Sequence, residues 1–254
     1  MFIHNINPTL FRMGFLEVRF YGIVYALGFL LIYWLIYRKR EELKIKRGQV
    51  DNLILILLVG LLVGARIFHF LFSDPLIFFS HPLEIFKIWN GGMSFFGALV
   101  GCFVGAVWYL KKIKLDWKKF ADLIVIGVSV ALIFGRIANF LNGELIGTVT
   151  NVPWCVIFTS VDYVCRHPYQ IYASLSHVLL LGGLLYIDRL RINKKLNEGV
   201  VFWSFLIGYS LFRFITDFFR LDPIFFGLTV WQYLSLVVFA CSLIWVIKKK
   251  YFKK

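Results

Sequence analysis

Seven runs of about twenty apolar residues leave this chain few ways to fold. They are Val18–Tyr37, Leu53–Phe72, Met93–Leu110, Phe120–Leu141, Tyr169–Ile187, Val200–Phe219 and Leu228–Ile247. A bilayer-spanning helix needs about 20 largely apolar residues. These runs are apolar on all faces and too long for strands, which favours a helical bundle over a barrel. The expected fold is an all-α integral membrane protein, a bundle of about seven transmembrane helices forming a single polytopic membrane domain over residues 1–254. Composition agrees. Hydrophobic residues make up 60% of the 254, and 28 residues are phenylalanine, against roughly 45–50% apolar residues in ordinary globular chains. A soluble fold of this size could not hide that much apolar surface. Disordered chains are poor in aromatics, so disorder is excluded as well. No internal repeat or low-complexity tract interrupts the pattern.

The formal net charge is +14, a value that elsewhere suggests nucleic acid. Its placement points to membrane topology instead, with no nucleic-acid partner. Residues 38–47 carry six Lys/Arg, 111–119 five, 189–195 four and 248–254 five, or 20 of the 28. These clusters follow runs one, three, five and seven, so they share one side, the cytoplasm by the positive-inside bias. The N-terminus and segments 74–92, 142–168 and 220–227 are then outside and the C-terminus is cytoplasmic, as expected of a multi-pass protein of the cell (cytoplasmic or inner) membrane. Residues 1–17 contain no apolar core long enough for a cleavable signal peptide.

The other eight basic residues are Arg12, Arg19, Arg66, Lys87, Arg136, Arg166, Arg213 and Arg220. Seven are arginine, whereas 15 of the 20 cytoplasmic ones are lysine. Arginine presents a planar fork that grips phosphate or carboxylate through two hydrogen bonds. Arg66, Arg136 and Arg213 lie inside runs, each in the later part of one that runs outward, and Arg220 follows directly. A charge at a helix centre costs roughly 2.5–3.5 kcal/mol on insertion scales and usually faces the bundle interior. The bland alternative is snorkelling to the headgroups or structural pairing. The four arginines are expected to converge at the outer-leaflet level, where a phospholipid phosphate is the natural ligand.

Polar residues gather at the same depth. In GRIANFLNGELIG, Gly135–Gly147, a helix would put Arg136, Asn139 and Gly143 on one face, with Asn142 and Glu144 beside them. In RFITDFFRLD, Asp217 stands i+4 from Arg213 and i−3 from Arg220, placed to orient or neutralise an arginine. WNGGMSFFGALVG, Trp89–Gly101, carries small residues suited to close helix packing or to a lipid tail against the backbone. In YGIVYALGF, Tyr21 is either an interfacial aromatic or a hydroxyl donor to a headgroup.

These segments resemble those of the prolipoprotein diacylglyceryl transferase family. YGIVYALGF, WNGGMSFFGALVG, GRIANFLNGELIG followed by TVTNVPW, RHPYQIY and RFITDFFRLDP followed by LTVWQYLS occur in the family's order across nearly the whole chain, and GRIANFLNGELIG is the most specific. The resemblance implies a membrane transferase of lipoprotein biosynthesis and protein lipidation. Such an enzyme moves a diacylglyceryl group from phosphatidylglycerol to the lipobox cysteine thiol of a signal-peptide-bearing prolipoprotein. It forms a thioether and releases glycerol phosphate, without cofactor. It also implies catalytic roles for Arg136, Arg220 and Glu144. Substrate binding would fall to Arg136, Tyr21, Asn139, Gly147 and Asp217, with Arg66 added from its buried position. Asp217 stands where the family commonly has Glu.

Two positions depart from the family. Its third motif usually reads His-Gly-Gly, and here the place reads Phe96-Gly97-Ala98. Phenylalanine cannot take a proton from a thiol. Three accounts stay open. The thiol, with a reference pKa of about 8.5, needs no dedicated base when arginines are near. Alternatively Glu144, His69 or His167 substitutes, or the chain is a divergent noncatalytic lipid-binding paralogue. The second departure is Ala173, where Glu is common after RHPYQIY. His4 and His81 read as loop residues and His177 as a packed residue of run five. Cys155 and Cys165 share one external loop where a disulfide is compatible with an oxidising exterior. Cys102 and Cys241 read as packing residues. No Cys/His cluster suggests a metal, and no glycine loop suggests a nucleotide. A retinal protein would need a lysine in Leu228–Ile247, which has none. A transporter would more often place acids at the midplane.

Overall fold

The computed structural model describes residues 2–13, 16–72, 75, 80, 82–86 and 93–249. Among them stand seven α-helices: α1 (Phe20–Arg38), α2 (Arg47–Phe72), α3 (Phe95–Lys112), α4 (Trp117–Leu141), α5 (Tyr169–Ile192), α6 (Val200–Thr216) and α7 (Val230–Lys249). Five of them, α2, α4, α5, α6 and α7, are long and apolar enough to cross a membrane, and α1 has a shorter apolar stretch, Gly22–Arg38. Basic residues occupy the last turn of α1 (Arg38), α3 (Lys111, Lys112), α5 (Arg189, Arg191) and α7 (Lys248, Lys249). There they complement the partial negative charge of the helix C-terminus. Pro168, which cannot donate a backbone N–H, stands at the N-cap of α5.

Hydropathy did not foresee the strands. β1 (Phe2–His4) pairs in parallel with β4 (Val156–Phe158), which pairs antiparallel with β5 (Cys165–Arg166). The hairpin of β2 (Thr9–Met13) and β3 (Leu16–Arg19) leads into α1, and β6 (Ile224–Phe225) with β7 (Leu228–Thr229) joins α6 to α7. Cys155 and Cys165 form a disulfide with their Cα atoms 5.5 Å apart, tying β5 to the start of β4. His4, read from sequence as a loop residue, lies in β1. It is buried between the rings of Phe140 and Phe158, at centroid distances of 5.2 and 5.0 Å.

The chain divides into two compact units, Met1–Ile32 with Ala121–Lys254, and Tyr33–Phe120. In the first, Val125 of α4, Leu180 and Leu184 of α5, Val200, Val201 and Phe205 of α6 and Val246 of α7 form a buried apolar cluster. A fully buried carboxylate accompanies it. Asp122 accepts the backbone N–H of Gly199 at 2.6 Å and of Phe202 at 2.8 Å, so a residue of α4 caps the first turn of α6. Arg191 completes this cluster through Asp188 and Glu198, both at 2.7 Å.

In the second unit α2 and α3 pack backbone to backbone. A Cβ on Gly64 would run into the carbonyl of Gly97, and one on Gly101 into the carbonyl of Gly60. The small residues of the Trp89–Gly101 motif that fall in α3 therefore serve helix packing. An apolar groove of about 560 Å³ follows the same helix pair, and no charged residue among those described lines it. Arg66 is buried here. Its Nε donates to the carbonyl of Ile85 at 3.0 Å and its Nη2 to that of Glu84 at 2.6 Å, and its Cζ lies 4.8 Å from the Phe70 centroid. The guanidinium thus holds the 3-10 turn Pro82–Phe86.

Candidate functional site

Within the first unit, α4 and α6 end where α5 begins, and the motif arginines meet at that end. Their common centre is Tyr169, the first residue of α5, which is fully buried. Arg213 Nη1 donates to the Tyr169 hydroxyl at 2.9 Å, and the hydroxyl donates to Asp217 Oδ1 at 3.0 Å. Arg213 Nε lies 2.9 Å from Asp217 Oδ2, closing a triangle of phenol, guanidinium and carboxylate. The Cζ atoms of Arg136 and Arg220 stand 6.0 and 5.7 Å from the centroid of the same ring, within cation–π range. Residues 77 positions apart in sequence, Arg136 and Arg213, so share one neighbour.

Charge is unevenly compensated around this centre. Asp217 pairs with Arg213, at the i+4 spacing read from sequence. Arg220 pairs instead with Asp222, Nε to Oδ2 at 3.0 Å, and touches residue 217 only through its backbone N–H to the carbonyl at 3.2 Å. Burial pushes the Asp222 carboxyl up, with Arg220 opposing. Arg136 has no carboxylate in ion-pair reach among the described residues. Its Nη1 donates only to Asn139 Oδ1, at 3.4 Å, and its buried Nε has no hydrogen-bond partner among them. Two arginines are neutralised and one is left for an anion.

The signature segment is built around the end of α4. Gly143 takes φ +66°, the N–H of Gly143 bonds to the carbonyl of Phe140, and that of Glu144 to Asn139 at 2.9 Å. This left-handed helix stop favours glycine. It removes Gly143 from the helical face that spacing alone assigned to it. The chain then turns back so that Glu144 accepts from both asparagines, Asn139 Nδ2 at 3.1 Å and Asn142 Nδ2 at 3.2 Å. Gln170 Nε2 of α5 donates to the Glu144 carbonyl at 2.6 Å. Glu144 is exposed and engaged, which suits it to hold Asn139 beside Arg136. Gly147 lies against the backbone of His167, where a Cβ would collide with the carbonyl. Its carbonyl accepts Arg166 Nη1 at 3.1 Å, and its backbone bridges Arg220. Gly147 therefore joins the signature segment to the chain after α6.

Of the expected site residues, Arg136, Asn139, Glu144, Gly147, Asp217 and Arg220 fall in this neighbourhood. Arg66 belongs to the other compact unit and bonds backbone carbonyls there. Tyr21 lies in the first turn of α1, but its side chain and that of Phe96 fall outside the described residues. Of the three candidate substitutes for a missing base, Glu144 is bound by two amides. His167 sets Nδ1 3.2 Å from the Tyr172 hydroxyl and packs on Phe219 at 5.1 Å. His69 packs on Phe70 at 5.5 Å in the other unit. Sequence reading missed Tyr169 and Asp222 as site members. The first stands inside the quoted RHPYQIY motif, so its place at the head of run five was the available signal.

Comparison with known proteins gives one family. Its model, described as prolipoprotein diacylglyceryl transferase, matches residues 8–248. A phosphatidylglycerol–prolipoprotein diacylglyceryl transferase of Geobacter sulfurreducens is 39% identical over 219 residues, covering 85% of this chain and 83% of the relative. The protein of that name from Rickettsia bellii is 36% identical over 252 residues, 96% of this chain and 95% of its own. That from Vibrio atlanticus is 35% identical over 259 residues, with 98% and 94% covered.

Proposed function

This chain belongs to the prolipoprotein diacylglyceryl transferase family, and from that premise we propose that it transfers a diacylglyceryl group from phosphatidylglycerol to the lipobox cysteine of prolipoproteins. The observation that carries the reading is the gathering of Arg136, Arg213 and Arg220 on Tyr169, with Arg136 uncompensated among the described residues. A phosphodiester monoanion seated on Arg136 would meet a guanidinium fork and, around the same ring, two further guanidiniums.

The reaction is a displacement at the glyceryl carbon. The thiol loses its proton, sulfur forms the new C–S bond, and the C–O bond to phosphate breaks. Its electron pair leaves on glycerol phosphate. Negative charge grows on the departing oxygen, and preorganised cations aimed at that point stabilise the transition state more than the ground state. In this reading Arg136 and Arg220 act on the phosphate and Glu144 positions Asn139 beside it. Asp217 fixes Arg213, Gly147 allows the crossing that brings Arg220 in, and Tyr21 contributes a hydroxyl to the headgroup. Arg66 shapes the segment through Glu84 and Ile85. The proposed setting is a seven-span bundle in the cytoplasmic or inner membrane, N-terminus outside and C-terminus cytoplasmic, with the arginine end at the outer headgroups. The transferase name shared by the relatives supports catalysis over lipid binding alone.

The test is purified protein with phosphatidylglycerol vesicles and a lipobox peptide, read by peptide mass. The expected result is a gain of one diacylglyceryl group by the wild type, lowered roughly 10²-fold or more in Arg136→Ala. A peptide that the wild type leaves unmodified would refute the proposal.

A further inference from the structure

The β6–β7 hairpin is apolar where a water-facing turn is polar. Phe225 pairs with Leu228, so Phe226 and Gly227 form a two-residue loop, with φ +50° and +89°. Positive φ at both central residues is the pattern of a type I′ turn, whose first position ordinarily holds Asn, Asp or Gly. A bulky side chain is strained there. Phe226 is nevertheless fully exposed, with Ile224 and Phe225 exposed beside it. No residue from Pro223 to Ile247 carries a charge. The turn thus holds an aromatic ring that neither its backbone nor the packing of the hairpin requires.

Its surroundings identify the partner. The hairpin joins α6 to α7 at the end where the Arg213 Cζ stands 6.0 Å from the Trp231 ring. Both helices are long and apolar enough to cross a membrane. Leu211, Ile215 and Phe218 recur at i, i+4, i+7 toward the end of the first, and Val230, Leu234 and Val237 recur so from the start of the second. All six are exposed. Such faces meet lipid, and the hairpin tip continues them. Backbone in apolar surroundings must have its polar groups bonded, and the turn meets that condition. The Tyr233 hydroxyl of α7 is shared between the carbonyls of Phe225 and Phe226, at 3.1 and 3.0 Å. In water those carbonyls would need no protein donor.

We propose that the tip Ile224–Phe225–Phe226 is a membrane anchor, seated in the outer leaflet at the boundary between headgroups and acyl chains, with the phospholipid bilayer as its partner. This rests on the membrane placement of the transferase reading. Apolar faces at that boundary are buried roughly 5–10 Å deep. The stretch that ends in this tip begins at Arg220, whose backbone bridges Gly147, and the next N–H, that of Leu221, bonds the Ile146 carbonyl at 3.1 Å. Anchor and arginine centre are therefore joined by a short piece of chain already tied to the signature segment. A tip held in the leaflet keeps Arg220 at headgroup level.

The experiment replaces Phe226 of the full chain with the photoreactive p-benzoylphenylalanine, in vesicles of phosphatidylglycerol and phosphatidylcholine with excess lipobox peptide. After illumination, adducts are read by intact and tandem mass. The same replacement of Leu234, on the lipid-facing side of α7, is the control. The expected result at Phe226 is a mass gain of one phospholipid, linked at the glycerol or the first acyl carbons. Adducts formed chiefly with the peptide overturn the proposal and make the tip a docking surface for prolipoproteins. Adducts with a second copy of this chain overturn it too. So does lipid capture at Leu234 with none at Phe226, which marks a tip in water, and so does capture confined to the ends of the acyl chains. Peptide mass without illumination judges the transferase reading separately. A peptide left unmodified while Phe226 captures lipid at the glycerol level would sink that reading and support the anchor.

Discussion

At the residue scale the site depends on one phenol. Tyr169 exchanges hydrogen bonds with both Arg213 and Asp217 while its ring faces Arg136 and Arg220. Tyr169→Phe keeps the ring and removes the hydroxyl, leaving two buried charged groups each short of a partner. The expected loss is about 1–3 kcal/mol of stability, measured by thermal unfolding in detergent, together with a lower kcat from a loosened Arg213. Unchanged stability and rate would show that the triangle does not hold the site. A second expectation concerns Asp162, whose carboxyl is held below its ordinary range chiefly by the hydrogen bonds from Arg166. A depressed carboxyl stabilises the fold above its unfolded value of about 3.9, and that contribution vanishes as pH falls through the folded value. Melting of wild type and Asp162→Asn should therefore differ at pH 6 and converge as pH falls below the ordinary carboxylate range.

At the element scale, helix ends decide more than helix middles. The middle of a helix bonds its own backbone, whereas each end must satisfy backbone groups that have no partner within the helix. Gly199, in the left-handed region at φ +91°, offers no side chain to cap α6. Asp122 of α4 serves instead. Asp122→Ala is expected to cost about 1–2 kcal/mol and to speed amide exchange at Gly199 and Phe202, with Arg191 left beside Asp188 and Glu198. Exchange at those amides no faster than wild type would show that the cap is dispensable. The α2–α3 pair shows the converse. There the glycines let two backbones touch, so the contact depends on what the side chains lack.

At the scale of the whole molecule, the strands and the disulfide join parts of the chain that hydropathy treats as separate. β1 lies at the N-terminus, yet it pairs with β4 more than 150 positions later, and His4 of β1 closes over Gly143 of the signature segment. The Cys155–Cys165 bond closes a loop with a sequence separation of 10, for which about 2–3 kcal/mol of stabilisation is expected. A reductant, or Cys155→Ser, should lower the melting temperature while leaving helix content by circular dichroism almost unchanged. A fall in helicity at ambient temperature would show that the bond supports the bundle as well.

Hydropathy alone was enough to find the helices. A long apolar run satisfies its backbone groups best within its own segment, and the described helices lie over the seven runs, five of those helices being long and apolar enough to cross a membrane. The sequence also marked Arg136, Asn139, Glu144 and Asp217, because charge and amide groups at the edge of apolar runs are conspicuous. Tertiary structure decided which of these meet. Spacing put Gly143 on a helical face, but the helix stops before it. The i−3 relation suggested Asp217 for Arg220, but Asp222 takes that arginine. Tyr169 read as an ordinary member of an apolar run and became central through what other helices place against it. Periodicity reports the face a residue occupies on its own helix, while partners arrive from segments far away in sequence, and no local pattern encodes their approach.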